Sequence, residues 1–187
     1  MNLNKNNILS YWIKRTEKYK DRAVGYKPYE KNKFISRYIN ANYKTLDYGC
    51  GIGACSINFN NYLGVDIMKD LVNFAKVKYP DKNFLVLKDL YLPEKLDFDF
   101  EQFFTATVLQ HNPDDVVKKI FESVVKLKSK NITFSLYENS ESNAKHMKAR
   151  DSKDYVDLLN EYFDIRGYVF YKHVIFNAEH TLTIIKT

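Results

Sequence analysis

Cysteine is nearly missing from this 187-residue sequence: Cys50 and Cys55 are the whole supply. Five residues apart, and with one of them inside a glycine-rich turn, they make neither a disulfide framework nor a metal-binding quartet. A reducing, cytoplasmic setting fits that usage. The four histidines, His111, His146, His173 and His180, lack paired ligand spacing, so no metal centre is expected. Long apolar runs are missing too. Nothing approaches the stretch of about 18 apolar residues that a spanning helix needs, and Leu3 to Trp12 is interrupted by Asn and Lys, unlike an export signal. A soluble, unexported chain is expected.

Arginine is scarce, with five residues among 29 basic ones. The net charge of +6 would suit an anionic partner such as nucleic acid or a phosphorylated substrate. Specific phosphate clamps favour the bidentate Arg fork, however. Lys, Asn, Tyr and Ile are abundant along the whole chain, as an AT-rich codon bias would produce, so nucleic acid is not the favoured partner.

What the sequence does hold is apolar and aromatic surface, 45% and 16% of its residues, enough for one globular domain at this length. Residues 8–22 place Ile8, Tyr11, Trp12 and Tyr19 near helical spacing, and a break follows at Gly25 and Pro28. A second helix is expected over residues 29–39, with Phe34, Ile35, Tyr38 and Ile39 as its apolar face. From Lys44 onward strands and helices alternate, which implies a mainly parallel sheet covered on both faces. Strands are expected at 44–48, 62–66, 83–88, 101–108 and 131–137, and helices at 69–78, 113–128 and 152–161. Residues 53–61 leave room for about two helical turns. Two closing strands, 163–171 and 180–186, are too close in sequence for a parallel crossover and must form an antiparallel hairpin. The organisation expected is an N-terminal helical extension over residues 1–29 and a single α/β domain over 30–187, Rossmann-like, with helices on both faces of a seven-stranded sheet whose final strand is antiparallel.

The chemistry is concentrated in Thr45-Leu46-Asp47-Tyr48-Gly49-Cys50-Gly51-Ile52-Gly53, followed by Gly64-Val65-Asp66-Ile67. An apolar run into an acid and three alternate glycines reads as a strand breaking into a tight turn where a ligand can approach backbone. The second segment reads as a strand ending in a carboxylate, which can accept hydrogen bonds from both hydroxyls of a ribose. Gly49, Gly51 and Ala54 also fit the dinucleotide spacing G-x-G-x-x-G/A, so the glycines alone do not choose the ligand. Asp47 does. A carboxylate two residues before the first glycine opposes pyrophosphate and suits the cationic end of another cofactor.

This D-x-G-x-G-x-G string with the later Gly-Val-Asp resembles the cofactor motifs of class I S-adenosylmethionine-dependent methyltransferases. The resemblance covers about residues 30–187 and extends to the closing hairpin. It implies S-adenosylmethionine as cofactor and S-adenosylhomocysteine as product. Asp47 would help to hold the ammonium end, and Gly49, Cys50, Gly51 and Gly53 would lie against the methionine part. Asp66 would bind the ribose, Ile67 would lie under the adenine, and Asp89 with Leu90 would meet the adenine amino edge. Thr107 belongs to the segment that borders the reacting methyl. Val108-Leu109-Gln110-His111 resembles a string of many small-molecule members, in some of which a nearby histidine deprotonates the acceptor, so His111 is the candidate base. Trp12, Tyr19, Arg22 and Tyr26 are candidates for a lid, and His146 and Arg150, in a basic loop beyond the fifth strand, for contacts to an anionic acceptor group. An Asp/Asn-Pro-Pro-aromatic tetrapeptide and a Pro-Cys pair are both absent, which argues against amino-directed DNA methylation and cytosine C5 chemistry. The expected activity is methyl transfer to an O or N atom of a small molecule, by a monomer or homodimer. The alternatives are an RNA or protein methyltransferase using the basic surface, and a cofactor-binding interaction module without turnover.

Overall fold

The computed structural model describes residues 10–14, 29–128, 130–141, 147–175 and 178–187. Residues 10–14 are helical and form α1. They fall within the helix expected over residues 8–22, while Tyr19, Arg22, Tyr26 and His146 lie outside the described residues. The remaining helices are α2 (Tyr29–Ile35), α3 (Lys69–Lys78), α4 (Asp114–Leu127) and α5 (Ser152–Asn160). The strands are β1 (Thr45–Tyr48), β2 (Tyr62–Asp66), β3 (Asn83–Val86), β4 (Gln102–Ala106), β5 (Thr133–Asn139), β6 (Gly167–Ile175) and β7 (Ala178–Lys186). They form one seven-stranded sheet in the order β3-β2-β1-β4-β5-β7-β6. β1, β2, β3, β4 and β5 pair in parallel, and β7 runs antiparallel to both β5 and β6. Only β7 is therefore reversed, as the short hairpin connection requires.

β1 and β2 are buried at every residue, Thr45 and Asp47 included, as strands covered on both faces are. On one face of the sheet, Leu46, Val65, Phe103, Phe134 and Ile185 pack beneath α4 and α5. The α4 stripe of Val116, Val117, Ile120, Phe121 and Val124 is buried there, and Asp114 and Asp115 occupy its first turn, where the helix dipole favours acids. Helix α5 starts in a capping box in which Asp151 and Asp154 exchange side-chain and backbone bonds. The opposite face holds a second core of Phe34, Phe59, Tyr62, Phe84, Phe104, Tyr137 and Leu182.

The helix expected over residues 29–39 ends at Ile35, with Tyr38 and Ile39 in the turn beyond it, and two further expectations need correction. The two helical turns expected within residues 53–61 are a single 3-10 turn at Ser56–Asn58. Its neighbours Ala54, Cys55 and Phe59 are buried, and the Asn32 amide donates to the Ala54 carbonyl at 2.8 Å while accepting from Asn58 at 3.1 Å, so α2 pins this segment before a second turn can form. The sixth strand, expected at 163–171, occupies Gly167–Ile175. Phe163 is instead buried under the end of α5, where its backbone N–H bonds to the Leu159 carbonyl.

Candidate functional site

The chain leaves β1 toward β2 on one side and reaches β4 on the other, so a crevice opens at the carboxyl ends of β1 and β4, where open α/β sheets take ligands. The glycine turn lines it. Gly49, Gly51 and Gly53 have φ of 73°, 53° and 72°, the left-handed region that side chains avoid. A Cβ on Gly49 would lie 2.5 Å from a Val108 methyl, whereas one on Gly51 would meet nothing within 4 Å. Gly49 is thus required by the protein's own packing, and Gly51 leaves bare backbone facing open space.

Asp66, buried at the end of β2, accepts from the Gly51 and Met68 backbone N–H groups at 2.8 Å each, one on each oxygen. The bonds fix the carboxylate against the glycine turn, and each oxygen keeps a lone pair for a hydroxyl. Burial pushes its pKa up, opposed by those same N–H groups. Ile67 beyond it is half-buried. Leu90 is buried, its carbonyl accepts from the Tyr48 hydroxyl, and its N–H donates to Asp89 at 2.5 Å. Asp47 lies below the turn, 2% exposed, and accepts from the Tyr62 hydroxyl at 2.6 Å. Burial pushes its pKa up to about 7, against the pull of Tyr62 and Lys31. The Cys50 thiol is buried and likewise pushed up, so it is no nucleophile.

The β4 side is organised by a residue that sequence reasoning missed. Glu138, 2% exposed at the end of β5, accepts the successive N–H groups of Val108, Leu109 and Gln110 at 3.1–3.2 Å. Burial raises its pKa to about 7 despite these three donors and Arg150. The loop so held contains Thr107 at φ 61°, a strained conformation for a β-branched residue. Thr107 is kept there by its N–H on the Tyr137 carbonyl at 2.7 Å and its hydroxyl on the Ala106 carbonyl at 2.6 Å. Buried Gln110 accepts from Asn139 N–H at 2.6 Å, tying the loop to β5.

His111 ends the 3-10 turn Leu109–His111. Trp12 of α1 meets its ring edge-on, centroids 5.0 Å apart, and Gln110 Nε2 lies 3.5 Å from its Nε2. The structure therefore brings one lid candidate to the candidate base. Arg150 is different. Its side chain is 1% exposed, and its guanidinium donates to Asp114, the Leu109 carbonyl and the Asn112 carbonyl at 2.7–3.0 Å. The expectation of an acceptor contact gives way to a positioning role: Arg150 clamps the base of the loop carrying His111. Lys148 beside it is paired with Asp114.

Across the mouth stands an aromatic group on β5, β6, β7 and α2, also missed. Tyr137 Oη lies 2.9 Å from His173 Nδ1, the His173 ring stacks on Phe34 at 4.3 Å, and Tyr137 stacks on His180 at 5.2 Å. The register sets His180 opposite both Asn139 and His173. Burial lowers the pKa of both histidines. A separate cleft of about 450 Å³ lies at the amino ends of the strands, lined by Lys44, Asn60, Tyr62, Asn83 and Asp97 among others; it shares Tyr62 with the site but none of the glycine turn, Asp66, Glu138 or His111.

No family model matches the sequence, and neither does any curated protein. Solved structures do. A TehB-like SAM-dependent methyltransferase from Corynebacterium glutamicum aligns over 98% of this chain and 99% of its own at 17% identity, TM-score 0.63. A magnesium protoporphyrin IX methyltransferase from Synechocystis with bound SAH aligns over 84% and 82% at 16% identity, TM-score 0.64. The mitomycin 7-O-methyltransferase MmcR aligns over 92% of this chain and 58% of its own at 12% identity, TM-score 0.69. The chain therefore has the fold of class I S-adenosylmethionine-dependent methyltransferases.

Proposed function

We propose that the chain binds S-adenosylmethionine in the crevice between β1 and β4 and transfers its methyl group to an O or N atom of a small molecule. The observation that carries this reading is the glycine turn itself. A turn built for pyrophosphate delivers it to a helix N-terminus, but this one runs into a three-residue 3-10 turn with a buried carboxylate beneath it. Such a site supplies backbone and negative charge, which suits a cofactor with a cationic end and no phosphate. The bare Gly51 backbone and the lone pairs left on Asp66 fit that cofactor's methionine part and ribose diol. Methyltransferases of this fold whose names specify mitomycin and magnesium protoporphyrin IX support a small-molecule acceptor.

In this reading Asp47 faces the ammonium end, Ile67 and Leu90 flank the adenine, and Asp89 takes its amino group. Cys50 contributes backbone and Thr107 borders the methyl. The cofactor supplies a methyl already activated on a sulfonium. The protein's part is to align the acceptor in line with it, which alone can give a large rate factor, while His111 takes the proton that the acceptor sheds. Residues 1–29 serve as a lid, a role supported by Trp12 against His111.

Calorimetry with S-adenosylmethionine, S-adenosylhomocysteine and NADH tests the reading. The first two are expected to bind and NADH is not; NADH binding without S-adenosylhomocysteine binding overturns it. Asp66→Ala is expected to weaken S-adenosylhomocysteine by about 2–4 kcal/mol, because a charged acceptor of two hydroxyls is lost. A folded variant with an unchanged dissociation constant rules out the ribose role.

A further inference from the structure

β6 is an edge strand whose outer side pairs with no described strand. Natural edges are blunted by Pro, bulges, short length or free charges, because unpaired N–H and C=O groups otherwise recruit another strand. β6 has nine residues, no Pro, and an uninterrupted register with β7 from Gly167↔Lys186 to Ile175↔Ala178. Its one Lys or Arg, Lys172, is engaged by Glu179 at 2.8 Å. Ten large hydrophobic residues are exposed among those described, and four are on this strand: Tyr168 at 44%, Val169 at 51%, Phe170 at 51% and Val174 at 68%. Scattered exposed apolar residues are ordinary; a cluster along an open edge is an interface signal.

We propose that β6 is a homodimer seam, in which two copies pair β6 with β6 antiparallel about a two-fold axis through Tyr171 and merge their sheets. A second copy fits because the strand is complementary to itself. Centred on Tyr171, all nine residues pair, Tyr168 faces the second copy's Val174, and Phe170 faces the second copy's Lys172, an aromatic ring opposite a cation. Centred on Lys172, the two lysines would oppose each other at a cost. The exposed parts of the four side chains amount to roughly 700 Å² over two copies. With the paired main chain the seam approaches the lower end of stable interfaces, about 1,200 Å², so the dimer is concentration-dependent. The proposal is independent of the cofactor reading.

Sedimentation velocity on the full chain from about 1 to about 100 μM tests it. A monomer–dimer transition is expected for the parent. Phe170→Lys should be monomeric throughout, since it sets Lys against Lys172, with an unchanged circular dichroism spectrum. Mixing it with a Lys172→Glu/Glu179→Lys variant, which reverses the local ion pair, should restore a mixed dimer. A parent that stays monomeric overturns the proposal and leaves the edge to the chain's own N-terminal segment or to a different protein. A Phe170→Lys protein that dimerises as the parent does moves the interface elsewhere, and a mixture that stays monomeric rejects this register.

Discussion

Asp47 is a carboxyl held near neutrality beside a turn that this reading gives to a cation. Its pKa of about 7 comes from burial, so at acidic pH it is protonated and offers an ammonium group nothing. Cofactor affinity is therefore expected to rise with pH through about 7 and then level off. Asp47→Asn should bind S-adenosylhomocysteine weakly and independently of pH over that range. Calorimetric titrations at pH 6 and 8 decide the matter, and a parent affinity that falls between them contradicts the role. Asp47 was legible in the sequence because it sits in a contiguous motif. Glu138 was not. It follows Leu136 by two in a strand and so shares a face with core residues, a parity that could have marked it as inward-pointing, but the run Glu-Asn-Ser-Glu-Ser reads as a solvated loop. Tyr137, His173 and His180 come together only through the register of β5, β7 and β6, which no local pattern discloses. The sequence places Arg150 for contact with an anionic acceptor group because it does not disclose that Asp114 engages the guanidinium.

At the scale of elements, β2 and α3 fall where the sequence places them, since a buried run ending in Asp66 and a ten-residue amphipathic stretch carry their own boundaries. The segment after the glycine turn does not, because its shape is set by α2 rather than by its own propensity. The turn offers a contrast. Gly49→Ala should cost about 2–3 kcal/mol of stability through the clash with Val108. Gly51→Ala should cost about 1–2 kcal/mol through φ alone, yet reduce S-adenosylhomocysteine affinity more than tenfold, since its methyl fills the ligand's space. Equal effects on both quantities would show that Gly51 does not face the cofactor. α1 supplies its own reporter, because Trp12 is the single tryptophan and touches His111. Its emission should respond to S-adenosylhomocysteine, and His111→Ala, which removes the ring it touches, should shift the emission of the ligand-free protein. Deleting residues 1–29 should leave a folded domain with weakened cofactor binding; unaltered affinity would exclude a lid.

The whole molecule inherits the strain of its site. Asp47 and Glu138 titrate near 7 in the folded state, against ordinary values of 3.8 and 4.5, so the folded chain retains protons that the unfolded chain releases. Stability is then full below about pH 4 with respect to these groups and falls as pH rises to about 7, by up to about 4 kcal/mol for Asp47. The ligand-free protein should accordingly melt higher at pH 5.5 than at pH 8. Asp47→Asn should narrow the gap, and an Asp47→Asn protein with the parent's gap would assign the pH response to other groups.

The strand order also governs how the chain can be assembled during synthesis. β7 is inserted between β5 and β6, although it follows both. Until residues 178–186 leave the ribosome, β5 has an open edge beside the growing sheet and β6 has no neighbour to pair with. Translation at about 5–20 residues per second leaves that edge bare for seconds. A nascent chain of this topology needs shielding at β5, which makes the interval before β7 emerges the point where a holding chaperone would matter most.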